Sequence, residues 1–274
     1  MGLSVLMGVH GKETPSYFQK AIFSIWDEQT QKPDQIVLVK DGPVGAELEV
    51  LILWWQNKLG ETLTIVELVK NQGLGAALHV GLQACKYELV ARMDSDDISM
   101  PERFLNQAAF FSENSSVDIL GCWVDEIDFS GRIIGSRKVP LDHDSIISSL
   151  WACPLIHPTV MMRRSRILEV GNYSVALPRR QDYELWFRCA ERGLGFHNLP
   201  EKLLQYRFGK RTHKRQSAKI AWKQGVIGFK GSGRIRTPMY YRFLCFVPFV
   251  RSLLPAGVQH FVYKGLSRFD PRNR

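Results

Sequence analysis

Residues 87–104 read YELVARMDSDDISMPERF, and this stretch decides the fold. A short apolar run, 87–93, predicts a buried strand. It ends in Asp94, Asp96 and Asp97, three carboxylates in four residues, and Pro101 follows as a start signal for a helix. Like charges this close repel unless a cation or another partner compensates them. Strand, polar turn and helix start in that order form one unit of an alternating α/β chain.

The same unit recurs upstream. LSVLMGV (3–9), QIVLVKDG (35–42) and LTIVELV (63–69) each predict a buried strand. Between them lie helical stripes. Thr14-Pro15 reads as an N-cap followed by Pro at the first helical position, ahead of Phe18, Ala21, Ile22 and Ile25. Leu48, Leu51, Ile52, Trp55 and Leu59 form a second stripe, and NQGLGAALHVGLQAC (71–85) opens a third helix. The β-α-β-α order predicts a parallel sheet with helices on both faces, and such sheets bind ligands beyond the carboxyl ends of their strands. Asp41 and Asp94 both fall at strand ends and are expected to face one crevice.

Downstream the pattern changes. Residues 117–135 predict strands around a Ser130-Gly131 turn, and 157–164 a short strand. Residues 164–170 predict a helix closed by Gly171, 181–193 a helix with Gly193 at its end, and 202–208 a last strand.

Bulk properties narrow the class. The chain has 274 residues and 45% hydrophobic content, enough for one sizeable core or one core with a small appendage. Its five cysteines are scattered, with no CxxC spacing, so neither a zinc site nor a disulfide framework is expected and a reducing compartment is the simplest reading. No signal peptide and no spanning helix are expected. Residues 201–274 carry 17 Lys and Arg against two acids, a net +15, whereas residues 1–200 carry 19 against 25, a net −6. An acidic body with a basic tail predicts a polyanionic partner, and the absence of any nucleic-acid-binding motif favours an anionic membrane surface over nucleic acid. The tail mixes its cations with Tyr240, Tyr241, Phe243, Phe246 and Phe249, interrupted by Arg242, Pro248 and Arg251. Two readings stand for it: a segment lying in a membrane interface, or a helical subdomain packed on the body.

Each chemical feature likewise carries two readings. The Asp cluster is either a solvated loop, with Asp97 or Ser99 near the cap of the helix that Pro101 starts, or, at a strand end, a site for a hard cation and a diphosphate. No Walker loop occurs, and GLGAAL (73–78) lacks the third glycine of a dinucleotide fingerprint, so it is read as a tight turn with close helix packing. Asp182 is either a helix N-cap or a general base fixed at a helix start. His157 is either structural or part of a site. The basic run Arg207, Lys210, Arg211, His213, Lys214 and Arg215 is either solvated or a flap over a diphosphate.

Seven segments in order make a resemblance. LSVLMGVHGKE, AIFSIWDEQTQKPDQIVLVKDGP, NQGLGAALHVGLQAC, ARMDSDDISMPERF, HPTVMMRRSRILEVGNY, QDYELWFRCAERG and LLQYRF span about 1–215. Together the chain resembles family 2 glycosyltransferases of the GT-A fold, near the bacterial amylovoran and O-antigen assembly enzymes. The resemblance implies a GT-A domain over 1–215, with a nucleotide-sugar-binding half (1–115) and an acceptor and catalytic-base half (116–215), followed by a basic helical tail (216–274). It implies that Val9, His10 and Asp41 meet base and ribose, and that Asn71 and Gly73 shape the nucleotide pocket. Asp94, Ser95 and Asp96 match the DxD motif: Asp96 the direct ligand of Mg2+ or Mn2+, Asp94 nearer the ribose, with Asp97 an extra acid. Asp182 matches the general base, with Gln181 where relatives carry Glu and Lys40 where many carry Asp. His157, Gln181, Arg207 and His213 are implied contacts to acceptor or diphosphate. The implied reaction moves a hexose, with inversion, from a nucleotide-diphosphate sugar, UDP-hexose for preference, to a polyprenyl-diphosphate-linked acceptor. Its place would be the inner face of the cytoplasmic membrane, in surface-polysaccharide synthesis. A nucleotide-sugar or polyanion binder without transfer activity is the alternative. A nucleotidyltransferase is a third, lacking here the basic Gly-rich N-terminal loop.

Overall fold

The computed structural model describes residues 2–208 and 217–253. Four βα units open the chain: β1 (Leu3–Val9), α1 (Pro15–Trp26), β2 (Gln35–Asp41), α2 (Ala46–Leu59), β3 (Leu63–Leu68), α3 (Leu74–Ala84), β4 (Leu89–Met93), the two-residue β5 (Ile98–Ser99) and α4 (Arg103–Glu113). The second half holds β6 (Ile119–Ile127), β7 (Ile133–Arg137), α5 (His143–Ser148), β8 (Met161–Arg163), α6 (Arg164–Glu169), α7 (Gln181–Glu191) and β9 (Phe196–Arg207). Three helices end the described chain: α8 (Ala218–Arg234), α9 (Met239–Leu244) and α10 (Val247–Ser252).

The strands form one sheet in the order β3-β2-β1-β4-β8-β6-β9-β5, with β7 beside β6. The first four are parallel, as the alternating pattern requires. β8 runs antiparallel to β4 and to β6, so the sheet is mixed beyond β4. Both faces are buried. Leu3, Val5, Met7, Ile36, Leu38, Leu89, Ala91 and Met93 pack with α1, α2 and α4, including Trp55 and Phe104. Leu6, Val37, Val39 and Val90 pack on the other face with α3, α6 and α7. Successive residues of one strand feed opposite cores, which is why these strands read as continuous apolar runs rather than alternating ones.

Three expectations shift. The last strand begins at Phe196, not 202, and pairs in parallel with β6. Register jumps between Cys122, paired with Leu199, and Trp123, paired with Lys202, so Pro200 and Glu201 bulge out of the ladder. Proline has no N–H to give a ladder, so its presence hides the strand from a sequence reading. The helix expected from Pro101 starts at Arg103. His157–Thr159 form a 3-10 turn rather than the start of the strand.

The described part of the tail, 217–253, meets the body through α8. This helix lies on α7 where Gly228 and Gly231 permit close approach, while its buried Gly225 and Ser232 face Phe246 and Cys245. A Cβ on Gly231 would lie 2.3 Å from the Phe187 ring, and one on Gly228 would lie 2.4 Å from the Tyr183 hydroxyl. Gly231→Val therefore forces the two helices apart. Thermal or urea unfolding of that variant is expected to show a loss of about 1–3 kcal/mol, whereas an unchanged midpoint would mean that α8 is not held there.

Candidate active site

The strand order places a topological switch between β1 and β4. From β1 the chain steps outward to β2 and β3, then returns to the other side of β1 as β4. Connections on the two sides cover opposite faces, leaving a crevice at the carboxyl ends of β1 and β4. Registers Val9 to Lys40 and Met7 to Met93 bring Val9-His10, Asp41 and the 94–97 loop to one edge of the sheet.

Asp94, Asp96 and Asp97 are gathered there, each with a carboxylate oxygen within 4.8 Å of the others. Their environments differ. The Asp94 carboxylate meets the Arg92 guanidinium at 2.5 Å. Burial pushes Asp96 up to about 7, reinforced by the charges of Asp94 and Glu13. Asp97 is fully buried and pushed well above the ordinary carboxylate range by burial, then by Asp94 and Asp96. One Asp97 oxygen accepts the Arg207 backbone N–H at 2.7 Å, and the other has no partner among the described residues. Asp97 is thus no helix-start acid: it ties the acidic loop to β9. Glu13, which follows β1, joins this field without having been singled out by any sequence motif. Burial first and neighbouring acids second disfavour ionisation of Asp96 and Asp97, so the cluster takes its full negative charge only with a further cation, and the oxygen-only donor set suits a hard divalent one.

One wall of the crevice is built on Asp41. It is 4% exposed, and its two oxygens accept the backbone N–H groups of Gln72 at 2.7 Å and Gly73 at 2.9 Å. The Asn71 side chain donates to the Asp41 carbonyl at 3.2 Å. Asp41 and Asn71 therefore hold each other's loops. Lys40 is engaged with Glu49 at 2.8 Å and Glu67 at 2.7 Å. His10 is the more open group here, with Nδ1 accepting the Lys12 N–H at 3.2 Å. Ser95 is buried between the two DxD aspartates.

The 73–78 segment is a place of close approach, as its glycines imply. Gly73 sits at φ +91°, and a Cβ on Gly75 would lie 2.5 Å from the Leu177 carbonyl oxygen and 2.6 Å from that of Ser174. The loop before α7 thus crosses the first turn of α3. That loop ends at Arg180, in the left-handed region at φ 64°, and α7 begins directly with Gln181 and Asp182. Asp182 is therefore the second helical residue rather than the N-cap. It is half-buried in the first turn of α7. Gln181 is 3% exposed, and its Oε1 has no partner among the described residues.

A buried charged group reaches from β4 toward the 157–173 segment. Arg92 is 1% exposed and shares the face of Val90, toward α3 and α7; beyond Asp94, its Nε and Nη1 have no partner among the described residues. Its charge reaches Tyr173 and His157, and Tyr173 also feels Asp182. His157 Nε2 and the Tyr173 hydroxyl are 3.0 Å apart. Burial, then the Arg92 charge, push His157 well below its usual range, so it is neutral. Its ring lies edge-on to Trp186. Arg92 and Tyr173 carry no motif signal. Only folding brings positions 92, 157, 173 and 182 together.

Arg207 is corrected. It is 5% exposed, its Nε donates to the Asp96 carbonyl at 2.7 Å, its Nη1 donates to the Asp128 carbonyl at 2.9 Å, and its guanidinium lies 4.2 Å over the Tyr17 ring. It is a fixed wall of the acidic loop, not part of a flap. His213, with the other flap residues Lys210, Arg211, Lys214 and Arg215, lies outside the described residues.

Comparison with known proteins agrees with this geometry. Residues 4–171 match the family description "Glycosyl transferase family 2". The chain is 33% identical over 272 residues to the UDP-Gal:alpha-D-GlcNAc-diphosphoundecaprenol beta-1,3-galactosyltransferase of Escherichia coli, covering 97% of this chain and 96% of that protein. It is 33% identical over 268 residues to the amylovoran biosynthesis glycosyltransferase AmsE of Erwinia amylovora, covering 95% and 97%. Among solved structures, TarS 1-349 of S. aureus in complex with UDP-GlcNAc superposes with TM-score 0.68 at 19% identity, covering 96% of this chain and 73% of that one. The mannosyltransferase PcManGT of Pyrobaculum calidifontis, in complex with GDP-Man and Mn2+, superposes with TM-score 0.66 at 15% identity, covering 97% and 79%. These likenesses carry the GT-A fold. With the family match over most of the sheet and near full-length similarity to two bacterial transferases, the chain belongs to glycosyl transferase family 2.

Proposed function

We propose that this chain is a metal-dependent, inverting glycosyltransferase. It moves a hexose from a UDP-sugar to a polyprenyl-diphosphate-linked sugar at the inner face of the cytoplasmic membrane, in bacterial surface-polysaccharide synthesis. The observation that carries the reading is the carboxylate cluster at the switch point, with Asp96 raised to about 7, together with the start of α7, where Gln181 next to Asp182 lies against Gly75 beside the Asp41-held turn. Near full-length similarity to a galactosyltransferase named for a GlcNAc-diphosphoundecaprenol acceptor supports the choice of donor and acceptor class.

The residues divide the work. Val9 and His10 lie at the end of β1, and the Asp41-held loop with Asn71 and Gly73 forms the wall for base and ribose. Asp96, with Asp94, would hold Mg2+ or Mn2+, which when bound neutralises charge on the diphosphate leaving group. The Asp94–Arg92 ion pair orients Asp94 toward the donor. Asp182 accepts the proton of the acceptor hydroxyl, whose oxygen attacks C1 of the sugar. The C1–O bond to the diphosphate breaks, its electron pair leaves with UDP, and configuration at C1 inverts. Neutral His157, held by Tyr173, borders the acceptor side as a hydrogen-bonding group rather than a proton source, and Gln181 lies beside the base without a second negative charge.

A screen of nucleotide sugars with Mn2+ and a GlcNAc-diphospholipid acceptor tests this. Transfer from a UDP-hexose, with opposite anomeric configuration in donor and product, is the expected result. Retained configuration would overturn the mechanism. UDP binding without transfer to any diphospholipid acceptor would leave a binder rather than an enzyme.

A further inference from the structure

Helices α9 and α10 have two unlike sides. Inward, Cys245 is 4% exposed and its Sγ lies 3.8 Å from the Tyr183 hydroxyl. Tyr183 in turn donates to the Trp151 carbonyl at 2.5 Å. Phe246 closes over Gly225 of α8. Outward, Met239, Tyr240, Phe243, Val250 and Leu253 are 54 to 63% exposed, and Trp222 of α8 is half exposed beside the Phe246 and Phe249 rings. Burying large apolar side chains is favourable, so a cluster this exposed signals a surface that is covered in use.

Charge selects what covers it. Residues 217–253 hold seven Lys and Arg and no Asp or Glu. A second copy docking symmetrically, patch on patch, would bring the same positive field against itself, and residues 254–274 carry four Lys and Arg against one Asp, so neither complements the patch. An anionic bilayer complements both features at once, with apolar and aromatic side chains entering the interface and cations remaining among the headgroups. No helix of the described residues is long and apolar enough to cross a membrane, so contact by this face is lateral.

We propose that the outward face of α9 and α10, with Trp222, docks on anionic phospholipid and thereby sets the acceptor side of the crevice against the bilayer. The geometry gives the orientation. Tyr183, which anchors α9 through Cys245, is the residue next to Asp182. A lipid-linked acceptor emerging from the headgroup layer is thus presented beside the base, a purpose that rests on the function proposed above; the lipid contact itself does not.

The test uses the full chain and the variant Tyr240→Ser/Phe243→Ser/Val250→Ser, in which only exposed side chains change. Co-sedimentation with phosphatidylglycerol-rich vesicles is expected for the native chain, weaker with phosphatidylcholine alone and weaker in high salt. The variant is expected to lose vesicle binding by about tenfold or more while its Mn2+-dependent affinity for UDP stays unchanged. Transfer to the acceptor in vesicles falls by a similar factor, and transfer to a water-soluble short-chain analogue persists. Undiminished vesicle binding by the variant overturns the proposal. So does loss of binding only in Lys264→Glu/Arg268→Glu, which would move the lipid contact beyond residue 253. Concentration-dependent self-association abolished by the triple change would make a second copy the occupant and also overturn it. If vesicle binding is lost as expected but no diphospholipid acceptor is ever glycosylated, the docking surface stands and the proposed reaction fails.

Discussion

Asp182→Asn is expected to abolish sugar transfer, with kcat lower by roughly 10²–10⁴-fold, the usual contribution of a positioned general base. The change keeps shape and removes only the charge that accepts the acceptor proton. Asp182 lies in the first turn of α7, behind a left-handed Arg180 and beside a Gln181 whose backbone is held in the same turn, so its position does not depend on its ionisation. The proposed donor side is built separately, from the ends of β1, β2 and β4. Mn2+-dependent UDP binding, followed by calorimetry, is therefore expected to remain near the native affinity. Transfer preserved in the variant would remove Asp182 from the mechanism; loss of UDP binding alongside transfer would mean that the change has disturbed the donor pocket.

Asp96→Ala has the second large effect, on a different quantity. Metal-dependent UDP affinity is expected to fall by about 100-fold or more, since even outer-shell partners of a bound metal commonly contribute about 10–100-fold. Full activity of the native chain in excess chelator would refute metal dependence outright. The same residue gives a pH signature. Its folded pKa, about 7, stands above the ordinary 3.8 because burial and the Asp94 and Glu13 charges disfavour the ionised form. A raised carboxylate contributes stability that is fully present below 3.8 and is lost as pH rises toward 7, after which the loss is complete. Metal-free Asp96→Asn is thus expected to gain stability over the native chain as pH rises from about 4 to 7, read from urea midpoints. Metal binding must displace the Asp96 proton, so Mn2+ affinity of the native chain is expected to climb over the acid side of that window and flatten above about 7. A pH-independent Mn2+ affinity would show that the cation is held elsewhere.

Much of the site was legible because its chemistry is carried by short local patterns. An apolar run ending in DSDD states both that a strand is buried and that acids emerge at its carboxyl end. Gly73 and Gly75 announced a close approach, and the loop that approaches, 174–178, is 100 residues downstream. What was misread was misread for a physical reason. Asp97 looked like a helix-start acid because Pro101 follows it, yet its carboxylate is claimed by the Arg207 backbone, 110 residues away. Arg207 looked like the first residue of a basic flap because cations follow it, yet its own side chain is occupied by Asp96, Asp128 and Tyr17. Arg92 and Tyr173 drew no attention, since a lone Arg in an apolar run and a lone Tyr in a loop have no periodicity or spacing to mark them.

The sequence by itself determined the alternation of strands and helices, the end of the sheet at which the acids gather, and the family. Each of these follows from periods of a few residues or from motifs shorter than a dozen. Tertiary structure alone decided which acid is buried and which is free to meet a ligand. It also decided that β9 runs beside β6 through a proline bulge, that Arg92 stands buried between Asp94 and the Tyr173–His157 pair, and that α8 docks on α7 while α9 and α10 keep an apolar face outside. These outcomes depend on desolvation and on contacts between residues tens to a hundred positions apart, and local pattern carries neither.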